Sequence, residues 1–280
     1  MIRKKTPEEP RRAVEARLPE QEQLEQWEKI KKHLKELSAM ESLSGYEYEL
    51  RQYLQEFAEK LGIKTSIDLG NNLWLHSKAP EKNIMLCAHM DKVGIANEVT
   101  VKNGKAIGRL DDAFGMSLIL GLLESGQRPT VLFTVEEERH ISLYKAGAES
   151  ATGDMIDGIA PRPDLALILD VSMLGRGGDG PLIYTSSAGR KFPLEPLEQI
   201  NELLDKNKMR ALFTPGKSND SSWFTDVKGV GVATLQVHVD AMHTENEVAD
   251  VNDIMEAANV LKMIVDNHSQ FTGGYKQRWA

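Results

Sequence analysis

Apolar positions recur at three- and four-residue steps early in the chain, then give way to short unbroken apolar runs. Leu24, Trp27, Ile30, Leu34 and Leu37 form one such stripe, which predicts an amphipathic helix near residues 20 to 38 with one buried face. Tyr46, Leu50, Tyr53, Leu54, Phe57 and Leu61 predict a second helix over 46 to 61, closed by Gly62 as a C-cap. Downstream, "NLWLHS", "NIMLCAH", "TVLFTV", "LALILDV" and "GVATLQVHV" read as strands, mostly too uniformly apolar to keep one face in water. Between and after them, "DAFGMSLILGLLES", "LEPLEQINELLDKN" and "VNDIMEAANVLKMIVDNH" read as helices, and the glycine-rich "GRGGDGP" as a loop. The alternation predicts an α/β fold, a mixed and mostly parallel central sheet with helices on both faces.

Composition narrows the class. With 280 residues, 41% of them hydrophobic, the chain is long enough to bury a full core. Residues 1 to 20 are charged and broken by Pro7, Pro10 and Pro19, which predicts a poorly ordered arm ahead of a single domain over 21 to 280. A net charge of -8 argues against nucleic acid and against an anionic membrane surface as partners. The N-terminal segment lacks the apolar core of a signal peptide, and no stretch approaches the roughly 18 apolar residues of a membrane span. Cys87 stands alone, so no intramolecular disulfide is possible, and it reads as a small buried hydrophobe in a cytoplasmic protein.

Several of these segments deliver metal-ligating or proton-moving groups at their ends. "LCAHMD" ends in His89 and Asp91, two positions apart and so on one face of an extended strand. "RLDDAFG" brings Asp111 and Asp112 to a helix start, where either could act as an N-cap. "FTVEEE" supplies Glu136, Glu137 and Glu138, "LILDV" supplies Asp170, and the chain after the last strand reaches His243. In open α/β sheets such strand ends form the usual binding crevice. Carboxylates converging there repel one another unless a cation neutralises them. Imidazole and carboxylate donors without thiolates suit a catalytic pair of zinc, manganese or cobalt ions. In such a site one carboxylate bridges both ions, and a further carboxylate serves as general base. A second His-x-Asp, His238 and Asp240, lies close to His243 and competes with it as a ligand source. His33, His76, His268 and His140 read as structural, with substrate contact the alternative for His140, which lies nearer the site.

The motifs "AHMDKVG", "LDDAFG", "FTVEEE", "LILDVS" and "HTENE" span residues 88 to 247 in order. Together with "LSGYEYELRQYL" and "DLGNNLWL" upstream, they resemble the co-catalytic dinuclear zinc metallopeptidases, and the deblocking (tetrahedral) and glutamyl aminopeptidases most. The resemblance implies a zinc aminopeptidase-like catalytic domain. It further implies His89 and Asp170 on one metal, Glu138 and His243 on the other, and Asp111 bridging. Glu137 would be the general base, Asp91 the carboxylate that orients His89, and Asp220 in "GKSNDSSWF" a pocket-shaping residue. A cis peptide between Asp111 and Asp112 is also implied. Two departures stand out. The family inserts a β-rich domain between its first His strand and its Asp-Asp turn, where this chain has about 20 residues, and Arg139 and His140 follow the Glu motif in place of a small residue and glycine.

The activity this implies is a metal-dependent exopeptidase, foremost an aminopeptidase, using two divalent ions on a peptide substrate and possible as a homo-oligomer. A carboxypeptidase, dipeptidase or amide deacylase fits the same scaffold. So does a protein that has kept the scaffold for metal binding or assembly without catalysis.

Overall fold

The computed structural model describes residues 20–76, 84–139 and 147–271. The arm expected over 1 to 20 therefore lies outside the described residues up to Glu20, and so does His140. In chain order the elements are α1 (Glu20–Ala39), α2 (Tyr48–Lys60), β1 (Lys64–Ile67), β2 (Leu73–His76), β3 (Ile84–His89), β4 (Thr100–Lys102) and β5 (Lys105–Gly108). They continue with α3 (Ala113–Glu124), β6 (Thr130–Thr134), α4 (Gly147–Ile156), β7 (Leu165–Ser172), β8 (Leu182–Ser187), β9 (Arg190–Lys191) and α5 (Leu194–Lys206). The last are β10 (Leu212–Pro215), α6 (Ser221–Phe224), β11 (Gly231–His238), β12 (Glu247–Asp250), α7 (Val251–Asp266) and a 3-10 turn, His268–Phe271.

The main sheet runs β1-β2-β6-β3-β7-β11-β8-β10, with β9 beside β8. Its four central strands, β6, β3, β7 and β11, are mutually parallel, and antiparallel pairings flank them on both sides. All residues of β3, β7 and β11 are buried, which requires cover on both faces. One group of helices, α1, α3, α5 and α7, is linked by α1–α3, α3–α7 and α5–α7 contacts, while α6 packs on β7, β8, β11 and α4. This is the mixed α/β architecture that the alternating pattern predicts. Helix α3 is buried around almost its whole girth because its sequence is apolar on every side.

The helices and central strands predicted from periodicity agree with the structure to within a few residues. Two apolar stripes end early, however. Leu24 is 60% exposed and Tyr46 78% exposed, the latter because α2 begins only at Tyr48. Gly62 follows α2 at φ 68° and donates to Glu59 O, the left-handed conformation that closes a helix.

A smaller sheet, β12-β5-β4, was not anticipated. Its β4–β5 turn is Asn103-Gly104 at φ 53° and 73°, the two positive angles of a type I′ hairpin. The hairpin occupies the chain between Asp91 and Asp111, and β5 runs directly into "RLDD". Where the chain leaves β3, Lys92 is buried and donates from Nζ to Leu37 O and Met40 O, both 2.6 Å away, capping the C-terminal end of α1.

Two side chains of this core carry predictions. Cys87 is wholly buried in β3, and burial pushes its thiol well above the usual range. The native protein is therefore expected to resist thiol reagents at pH 8 and to react once only after denaturation, as a timed dithionitrobenzoate assay would record. His33 is also fully buried, edge-on to the Phe57 ring at 5.3 Å, with Glu124 Oε2 3.3 Å from Nε2. Burial lowers its pKa, and Glu124 opposes that shift without reversing it. The unfolded chain thus binds the proton first, so His33 contributes full stability above about pH 6.5 and loses it as pH falls through the folded value. Urea unfolding of chelator-treated protein at pH 7.5 and pH 5.5 should find His33→Leu less acid-sensitive than the wild type. Parallel losses in the two proteins would contradict this.

Candidate metal centre

The parallel strands β6, β3, β7 and β11 put their carboxyl ends on one edge, and the sequence-predicted groups collect there. His89 is the last residue of β3, Asp170 sits near the end of β7, and Glu136 to Glu138 follow β6. Asp111 follows β5 through Arg109 and Leu110, and His243 lies in the turn before β12. Asp111 occupies the middle. Its Oδ1 is 3.0 Å from His89 Nε2, and its Oδ2 is 3.4 Å from His243 Nε2. Asp170 Oδ1 approaches His89 Nε2 to 3.8 Å, and Glu138 Oε2 approaches His243 Nε2 to 3.4 Å. Single donor atoms of His89, Asp111 and Glu138 all lie within 4.8 Å of one another.

The adjacent aspartates divide the work. The Asp111–Asp112 peptide is cis, as the resemblance implied. Asp112 turns away to cap α3, its Oδ1 accepting from Gly115 N at 2.7 Å. A Cβ at Gly115 would stand 2.5 Å from Asp112 Oδ2, so this cap has room only for glycine there.

Asp91 meets His89 differently from the strand alternation expected. β3 ends at His89, and the contact is made from the loop beyond, by Asp91 O at 2.9 Å and Oδ1 at 3.4 Å from His89 Nδ1. Its carboxylate also grips the Glu motif, accepting from Glu137 N at 2.9 Å and Glu138 N at 3.0 Å, while Ser44 Oγ donates to Oδ2 at 2.6 Å. Glu136 begins this turn at φ 56°, donates its N–H to Glu47 Oε1 at 3.1 Å and places its carboxylate 3.5 Å from Arg139. That leaves Glu136 outside the cluster.

The competing His238 is kept apart. Its Nε2 faces Asp240 Oδ1 at 3.0 Å and its Nδ1 faces Leu174 O at 3.1 Å. Asp220 is buried and accepts from Thr134 Oγ1 at 2.6 Å, and burial pushes its carboxyl up to about 6.

One organising residue was missed. Glu247, fully buried, accepts from Leu110 N at 2.6 Å, Asp111 N at 3.0 Å and His243 N at 2.8 Å, so one carboxylate holds the backbones of both loops. Arg109 lies 3.6 Å from it. The signal was present as the last letter of "HTENE", but a buried acceptor of backbone N–H groups has no period to reveal it.

Electrostatically the site carries more buried carboxylate than its imidazoles can neutralise. Burial pushes Glu137 well above the carboxylate range, with Asp220, Asp170 and Glu138 adding repulsion. Burial and Asp111 push Glu138 up to about 8, and burial raises Asp170. Asp111 goes the other way. Burial alone would raise it, but His243 and His89 hold it well below the usual range. Burial would likewise lower His89, yet contacts with Asp111, Asp170 and Asp91 hold its imidazole well above its ordinary value. Asp111 Oδ2 is moreover buried without a hydrogen-bond partner. A purely nitrogen and oxygen donor set, a surplus of buried negative charge and an unsatisfied central oxygen all fit divalent cations.

No family model matches the sequence. Solved structures do match it in fold. An aminopeptidase from the archaeon Desulfurococcus kamchatkensis superposes with a TM-score of 0.72 at 18% identity, over 91% of this chain and 99% of that one. The TET1 peptidase of Pyrococcus horikoshii, described as assembling into a tetrahedron or a large octahedral shell, gives 0.68 at 16% identity, over 84% of this chain and 99% of that one. The aminopeptidase PepT of Bacillus cereus gives 0.64 at 14%, over 87% and 99%. The fold is thus that of aminopeptidase catalytic domains. Among the described residues, no helix is long and apolar enough to cross a membrane.

Proposed function

We propose that this protein is a metal-dependent exopeptidase, an aminopeptidase that removes N-terminal residues from peptides. The observation that carries the reading is the position of Asp111, with one oxygen toward His89 and the other toward His243. His89 and Asp170 would hold one divalent ion, Glu138 and His243 the second, and Asp111 both. Zinc suits these donors, and cobalt or manganese is compatible. When bound, such a pair polarises the scissile carbonyl and acidifies water.

The protein's own groups do the rest. Glu137, whose proton affinity burial and neighbouring carboxylates raise, accepts a proton from the attacking water and returns it to the leaving amide nitrogen. Asp91 fixes the Glu137 and Glu138 backbones and the His89 ring, and the fixed tautomer leaves His89 Nε2 free to bind. Acidic groups around the centre would anchor the substrate's free amine. Self-association and a cytoplasmic location are part of the same proposal, and the assembly of the P. horikoshii protein supports the first.

Arg139 favours a second reading. It is an exposed guanidinium one residue past Glu138, which is suited to a substrate carboxylate and hence to a carboxypeptidase or dipeptidase. A panel of amino-acid anilides, N-acylated substrates and blocked-amine peptides with free C-termini separates the two. Hydrolysis confined to free-amine substrates is expected. Turnover of blocked-amine peptides with free C-termini alone would replace the aminopeptidase reading with the second.

A further inference from the structure

Asp170 is held at two points. Its Oδ1 accepts from Val171 N at 2.7 Å, and its Oδ2 accepts from the side-chain Nδ2 of Asn219 at 3.2 Å. Asn219 lies just before α6, is 4% exposed and is itself fixed in orientation. Its Oδ1 accepts from Ser221 N at 3.2 Å and lies 3.1 Å from Ser187 Oγ, and Ser221 Oγ also donates to it. A backbone N–H can only donate, so the carbonyl end of the amide must face Ser221 and the NH2 end must face Asp170. A flip would set one donor against another. The backbone joins the same lock, since Asn219 N donates to Ser187 Oγ at 3.2 Å.

We infer that Asn219 is a positioning residue for the metal centre, a fixed amide donor that sets the rotation of the Asp170 carboxylate from the side away from His89. This rests on the reading of Asp170 as a ligand. Ligand carboxylates are commonly oriented by such outer partners, whose loss typically weakens metal affinity by about 10- to 100-fold. Ser187 on β8 and Ser221 on α6 act one step further back, by holding the amide.

The test compares wild type, Asn219→Leu and Asn219→Asp at pH 8. Metal affinity is measured by chelator competition, the electronic spectrum with cobalt bound, and the melting temperature of the metal-free proteins. Asn219→Leu keeps the branched shape and removes the donor. Asn219→Asp keeps an acceptor for Ser221 N, which preserves the fold should the leucine variant fail to form it. The expected result is about 10- to 100-fold weaker binding of one of two ions and an altered cobalt spectrum. Metal-free melting should fall in the aspartate variant, because a second buried carboxylate then meets Asp170 with no cation between them. The aspartate variant is decisive, because its added negative charge would tighten cation binding if Asn219 had no positioning role. Wild-type affinity or tighter, with an unchanged spectrum, overturns the inference while leaving the metal centre in place. A wild-type protein that binds no metal overturns both.

Discussion

Glu137→Gln is expected to keep the full complement of metal and to lose about 100- to 10,000-fold in kcat, the range that a general base contributes. The substitution preserves the shape and the Glu137 N to Asp91 bond, so the Glu motif keeps its turn. What it removes is the carboxylate that accepts a proton. Burial and the nearby Asp220, Asp170 and Glu138 raise this group's proton affinity, as suits a base that must take a proton and then release it. Metal analysis alongside steady-state kinetics separates the outcomes. A variant with wild-type kcat would remove Glu137 from the chemistry, and one that lost metal would make it a ligand.

Glu247→Ala should be the most damaging single change away from the proposed ligands themselves, lowering stability by about 3 kcal/mol or more. Three backbone N–H groups, those of Leu110, Asp111 and His243, lose the acceptor that the fully buried Glu247 provides. Arg109, 2% exposed, loses its 3.6 Å anion as well. Because the freed loops carry Asp111 and His243, metal affinity should fall together with the melting temperature. Glu247→Gln retains one carbonyl acceptor and should fall between. Denaturant titration with and without added zinc measures both losses, and an alanine variant of unchanged midpoint would show that the loops are held elsewhere.

How far the sequence spoke for the structure depended on the kind of signal. β3, β7 and β11 were legible because strands covered on both faces must be apolar throughout, and α1, α2, α5 and α7 because a half-buried helix repeats near 3.6 residues. Short edge elements gave less. β1 and β4 are mostly exposed and carry no alternation strong enough to stand out, although Asn103-Gly104 between β4 and β5 is a recognisable hairpin signal. The candidate ligands followed from motif order, and the structure brings His89, Asp111, Glu138, Asp170 and His243 to one sheet edge. The support around them was not legible. Glu247, Asn219 and Ser44 act through backbone N–H groups and single carboxylate oxygens contributed by distant segments, and that pairing exists only once the chain is folded. His238 shows the reverse, a residue of the right type and spacing that the fold directs to Asp240.

The central claim is that Asp111 bridges two cations, and the most direct measurement is the number of metal ions per chain, by native mass spectrometry of zinc-loaded protein beside Asp111→Asn. The wild type is expected to hold about two ions, with both weakened in the variant because each loses the same ligand. One ion or none in the wild type, or an Asp111→Asn protein that still holds both at unchanged affinity, would contradict it.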